Sequence, residues 1–185
     1  EITRINRGGK RVLTLDEGDG IAQVRLTSGD DELLFMTARG QALRVSEGAF
    51  RSMGRAARGV RGIKLGEGDE VISCEVIDPR RHALVISEKG LAKRTSFMEF
   101  SLRNRGGLGV KATKLGARTG VLVGSWSVAE DDEIMAITAR SRIIRVAVAE
   151  IPVLSRTAAG SITVRLDEGD SVVDVSVVSG EGAMS

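Results

Sequence analysis

Apolar residues in this chain come in short runs, not in helical stripes. Leu33-Leu34-Phe35-Met36, Val71-Ile72 and Ala83-Leu84-Val85-Ile86 sit between clusters of Gly, Asp and Ser. No stretch keeps a 3.6-residue apolar period for three turns, and Gly is too frequent for stable helix. Runs of about five to eight residues rich in Val, Ile and Leu, with breakers at both ends, predict strands. Around the middle of the chain they fall at about 60–65, 70–77, 83–88 and 91–95. Arg39-Gly40 and Lys89-Gly90 separate two runs and predict tight hairpins in which Gly takes a positive φ. Ser141 holds the third such place, so that turn is expected to be strained or of another type.

The pattern repeats. Leu15-Asp16-Glu17-Gly18-Asp19 returns as Leu65-Gly66-Glu67-Gly68-Asp69 and as Leu166-Asp167-Glu168-Gly169-Asp170, with a copy at Leu115-Gly116 that has lost its acids. The leucines are 50, 50 and 51 residues apart. Residues 31–44, 81–94 and 132–145 align in the same register, as do 58–65, 106–115 and 159–166. Four strands in about 50 residues, repeated, are the mark of propeller blades, whose faces are both covered by neighbours. A sandwich is the alternative, but it does not explain a constant period. The expected fold is therefore all-β and propeller-like, a partial array of four-stranded blades. Residues 1–185 are expected to form one such fragment, with repeat-boundary turns near 16–19, 66–69, 116–120 and 167–170. The chain opens and stops inside repeats, which reads as an excised piece; strands near 10–15 and 172–178 are expected to co-operate in completing a blade.

No signal peptide and no membrane-spanning apolar run is present, and the composition reads as cytosolic. The single cysteine, Cys74, is expected to pack in a strand as a small hydrophobe. The net charge of +2 says little, but its distribution says more. From Gly48 to Gly66, and again from Phe100 to Ala129, there are basic residues and no acid. The acids gather in Asp30-Asp31-Glu32, Glu67-Gly68-Asp69-Glu70 and Glu130-Asp131-Asp132-Glu133. Such separation makes local basic fields even when the total nearly cancels. With strands alternating up and down, the acidic turn and the Arg-Gly hairpin fall at the same end of a blade. A basic surface is then expected radially, on the strands at 41–46, 91–95 and 142–147 if these are outermost, and on the connections that follow.

Catalytic chemistry finds little support. His82 is the only histidine, so it has no second His or Cys with which to build a metal site or a triad. Arg7-Gly8-Gly9-Lys10 and Arg105-Gly106-Gly107 lack the Gly-Lys-Ser/Thr of a P-loop. The absence of tyrosine excludes a tyrosine nucleophile from this chain. No cofactor, metal or catalytic residue is expected. Aromatics are few and not interleaved with basic residues, which disfavours stacking on single strands and favours a duplex backbone.

Arg51-Ser52-Met53-Gly54, then Gly59-Val60-Arg61-Gly62-Ile63-Lys64-Leu65-Gly66-Glu67-Gly68-Asp69, closely resembles the C-terminal domain of the DNA gyrase A subunit. So do residues 26–33 and 87–95, and the match covers essentially the whole chain, in the later repeats of that domain. The resemblance implies a β-pinwheel, whose blades exchange a strand with a neighbour, and a basic rim that binds, bends and wraps duplex DNA for negative supercoiling. It implies that cleavage and ATP hydrolysis lie elsewhere in the holoenzyme, with the rest of the A subunit and the B subunit as partners. Ile5-Asn6-Arg7-Gly8-Gly9-Lys10-Arg11 matches four positions of the family's Gln-Arg-Arg-Gly-Gly-Lys-Gly signature, and is taken as the equivalent loop of a later blade. The related domain of the topoisomerase IV A subunit, and a propeller-type protein-interaction module, are the alternative readings. The expected DNA-binding residues are Arg44, Arg94 and Arg145, with Lys93 and Arg142 beside them. The connections add Arg55, Arg58, Arg61, Arg105, Lys111 and Arg156.

Overall fold

The computed structural model describes residues 13–54 and 57–180, and eleven strands lie among them. Three hairpins carry the architecture: β1 (Glu32–Thr37) with β2 (Gln41–Ser46), β4 (His82–Ser87) with β5 (Leu91–Ser96), and β8 (Glu133–Thr138) with β9 (Ile143–Ala147). The others are β3 (Val71–Val76), β6 (Val110–Lys111), β7 (Leu122–Val128), β10 (Ser161–Ile162) and β11 (Val172–Val178). They form sheets in the orders β3-β1-β2-β6, β10-β5-β4-β7 and β11-β8-β9, with antiparallel ladders.

The sheet orders regroup the strands read along the sequence. Residues 71–76 do not join the hairpin that follows them; β3 pairs with β1 of the preceding repeat, as β7 does with β4. Residues 60–65 form no strand. Their backbone turns to the next connection instead, Lys64 N donating to Gly107 O at 2.8 Å and Gly106 N to Gly62 O at 2.5 Å. The strands at 41–46 and 91–95 are not outermost, because the short β6 and β10 run outside them. The expected co-operation of a strand near 10–15 with 172–178 in completing a blade falls partly outside the described residues. β11 pairs with β8, residues 13–15 carry no strand, and residues 1–12 lie outside the described ones.

Both faces of a middle blade are buried, which explains the continuous apolar run of β4. Ala83 and Val85 meet Leu34, Met36 and Ala42 of the first sheet, while Leu84 and Ile86 meet Ile134 and Ala136 of the third. Cys74 is half-buried on β3 beside Leu33, Val45 and Ile63, and burial pushes its thiol up to about 11.

The three hairpin turns are one design. Thr37, Ser87 and Thr138 each accept on the carbonyl from residue 40, 90 or 141, and on the hydroxyl from the residue after it. The third turn residue is left-handed every time: Gly40 and Gly90 at φ 77° and Ser141 at φ 61°. Ser141 therefore keeps the turn type and carries the strain. Gly90 is fixed for a second reason, since a Cβ there would run into the Val164 carbonyl oxygen, whereas Ser141 is exposed.

Candidate nucleic-acid interface

The acidic turn does more than separate strands. Asp69 Oδ1 accepts Arg39 N at 2.9 Å, and Asp170 Oδ1 accepts Arg140 N at 3.1 Å, so each turn holds the hairpin of the preceding repeat. In the copy without acids Thr119 does this through its backbone, its carbonyl taking Lys89 N at 3.3 Å. Acidic turn and basic hairpin thus share one end of the blade, as the alternation of strands requires.

The repeated arginines divide. Arg44 and Arg94 point across the seam between blades. Arg44 donates from Nε to Glu32 at 2.7 Å and from Nη1 to the Phe100 carbonyl at 3.1 Å. Arg94, 6% exposed, donates from Nε to the Ile151 carbonyl at 2.7 Å. Its backbone forms a parallel bridge to Val153, as that of Arg44 does to Leu102. Arg145 in the third sheet is exposed and pairs with Glu133. A shared register therefore does not give a shared environment: where the following connection crosses the blade, the arginine is covered. The basic rim was expected on these strands only if they were outermost, and β6 and β10 lie outside β2 and β5.

Lys93 is likewise covered, 1% exposed, with Nζ donating to the carbonyls of Ser155 at 2.9 Å and Arg156 at 2.5 Å. Burial lowers its pKa to about 8, the Glu99 carboxylate opposing that shift and Arg156 reinforcing it. Neither Lys93 nor Arg94 presents a cation to a ligand in this structure. Arg105 is tied by its guanidinium to the carbonyls of Ala49 at 3.0 Å and Arg61 at 3.2 Å. Arg58 and Arg61 are exposed, Arg58 lying 3.3 Å from Asp16. Arg142 is exposed and 2.8 Å from Asp167, and Arg55 lies outside the described residues.

Lys111 and Arg156 come together at the outer edge, the Arg156 guanidinium donating to the Lys111 carbonyl. Along this edge lie three hollows with shared walls, two of them bordered by β6. One of about 490 Å³ is lined by Arg39, Gln41, Lys111, Thr113, Lys114, Leu115 and Thr157. The next, about 440 Å³, adds Lys64, Gly66, Asp69 and residues 108–110. The third, about 550 Å³, lies between Leu43 and Arg103, Asn104, Gly107, Leu108 and Gly109. Five cations, Arg39, Lys64, Arg103, Lys111 and Lys114, thus face one carboxylate, Asp69, which already accepts two backbone N–H groups. Sequence reasoning chose only Lys111 of the five. Lys64, Arg103 and Lys114 belong to the two acid-free stretches, and that signal was available; the place of Arg39, a turn residue, was not. The arrangement suits an anionic ligand. Among the described residues no three metal-ligating side chains gather, and no helix is long and apolar enough to cross a membrane.

The family described as DNA gyrase C-terminal domain, beta-propeller, matches residues 1–28, 31–78, 81–124 and 132–179. The A subunit of DNA gyrase from Aminobacterium colombiense is 60% identical over 181 residues, which are 98% of this chain and 22% of that protein. Those of Halalkalibacterium halodurans and Escherichia coli are 57% and 37% identical over 94% and 97% of this chain, and 21% and 20% of theirs. The chain spans about a fifth of the length of these relatives. A solved DNA gyrase A C-terminal domain superposes with a TM-score of 0.84 at 28% identity, covering 92% of this chain and 58% of that one. The C-terminal domain of DNA topoisomerase IV superposes at 0.86 and 29% identity, covering 92% and 53%. Repeat, strand exchange and sequence agree, and the chain belongs to the family of DNA gyrase A C-terminal domains, with the β-pinwheel form of the propeller.

Proposed function

We propose that this chain is a non-catalytic module that binds, bends and wraps duplex DNA, presenting it to the rest of a cytoplasmic DNA gyrase for negative supercoiling. The remainder of the A subunit and the B subunit are its protein partners. The observation that carries this reading is the outer groove along β6, where five cations meet a single carboxylate. Lys and Arg contacts to phosphates position a duplex without reading its bases, and DNA deformability then supplies any preference. Arg61 and Arg156 extend the cationic surface beyond the groove, while Arg58, Arg142 and Arg145 would exchange a carboxylate partner for a phosphate.

The test is retardation of a duplex of about 40 base pairs by the intact chain over a salt series. Tight binding at low salt that weakens steeply as salt rises supports the proposal; failure to retard the duplex at low salt overturns it. The topoisomerase IV domain superposes as well as the gyrase domain does, and this supports one alternative, wrapping without net negative supercoiling. Assembling the whole A subunit with its B partner on relaxed plasmid decides: ATP-dependent negative supercoils mean gyrase, relaxation alone the alternative.

A further inference from the structure

Lys93 is a buried cation that the DNA-binding reading leaves unused, and its neighbours in the repeat are apolar. Leu43 and Ile144 hold the equivalent places, opposite Phe35 and Ala136 as Lys93 is opposite Val85. Between Leu43 and the connection at 103–109 there is a hollow of about 550 Å³. In the middle repeat the same place is spanned by the Lys93 ammonium, donating to two consecutive carbonyls, Ser155 and Arg156. Thr95, where the other repeats have Val45 and Val146, donates to the third carbonyl, Leu154, at 3.0 Å. Beyond this grip, Arg156 N donates to Glu99 at 2.6 Å, its guanidinium reaches the Lys111 carbonyl, and Thr157 lines the groove.

We infer that Lys93 is a positioning residue: it fastens the connection at 154–157 to the neighbouring blade, and so sets where Arg156 and Thr157 stand at the end of the outer groove. The inference rests on the DNA-binding reading for its consequence, but not for the grip itself. A neutral leucine, as in the first repeat, keeps the packing and removes the donor. The seam should then hold, while the connection loosens.

The charged groups facing Lys93 are Glu99, from the turn after β5, and Arg156, from the gripped connection. The gripped ammonium titrates at about 8 against an ordinary value of 10.5, so opening the connection takes up a proton between these values. Raising pH from 8 towards 10 therefore makes opening harder; below 8 the effect is constant.

Hydrogen exchange of the intact chain tests this, comparing wild type with Lys93→Leu from pH 7 to 10, corrected for intrinsic rates. Amides of Leu154 and Arg156 are expected to exchange about tenfold faster in Lys93→Leu. Wild type is expected to slow across pH 8 to 10, while Lys93→Leu stays flat. Unchanged exchange at these amides, or the same pH profile in both proteins, overturns the inference. Duplex affinity is read in parallel and should fall about twofold to fivefold, the range of one exposed charge contact. Faster exchange with unaltered affinity overturns the positioning role. If neither protein binds duplex, the DNA-binding reading fails and exchange alone still decides the grip.

Discussion

Ser141 shows how a single position separates two demands that glycine usually meets together. At Gly90 the backbone needs a positive φ and also the absence of a Cβ, because the Val164 carbonyl lies over it. At Ser141 only the dihedral is demanding, since the residue is exposed. A serine in the left-handed region costs about 1 kcal/mol relative to glycine. Ser141→Gly is therefore expected to raise stability by about 0.5–1 kcal/mol, and Gly90→Ala to lower it by more, since strain and overpacking add. Urea unfolding of the two variants measures both. The turn itself was legible in the sequence, because the alignment of 31–44, 81–94 and 132–145 put Ser141 in the place of a glycine. What crosses the turn was not legible, since Val164 comes from another repeat.

At the scale of the element, hairpins were legible and their partners were not. An apolar run with a Gly turn defines β4 and β5 locally, but every repeat offers β4 an equally good third strand. Geometry chooses β7, 40 residues on, over the strand just before the hairpin. The acidic turn that follows from this exchange is a cap between repeats: the Asp69 carboxylate holds Arg39 N and Glu70 N, each at 2.9 Å. Asp69→Ala should cost about 1 kcal/mol and loosen the hairpin at 38–40, read as faster exchange of the Arg39 amide. A deeper pairing should cost more. The Asp132 carboxylate, 3% exposed, accepts Arg81 at 2.5 Å and Ala129 N at 2.8 Å. Asp132→Ala leaves Arg81 without its counter-ion and is expected to destabilise the chain by about 2–4 kcal/mol, measured by denaturant unfolding.

Across the molecule, the repeat carries an arginine to one register in every blade, and that is why sequence alone assigned one role to all three. Burial depends on what a later repeat lays across the blade, so Arg94 became part of the seam while Arg145 stayed on the surface. The two kinds of cation should respond differently to salt. A cation that neutralises a phosphate contributes about 0.9 to the slope of log affinity against log salt. Replacing Lys111 and Lys114, both exposed and both lining the groove, with alanine should lower that slope by about 1.8 and weaken binding alike on unrelated sequences. Arg94→Met removes as much formal charge from the chain as either of those changes, but takes a donor from a buried carbonyl, Ile151. Its cost should appear in stability, about 1–3 kcal/mol, with the salt slope unchanged while the protein is folded. A loss of slope in Arg94→Met, with none in the lysine pair, would place the duplex on the seam between the blades and not in the outer groove.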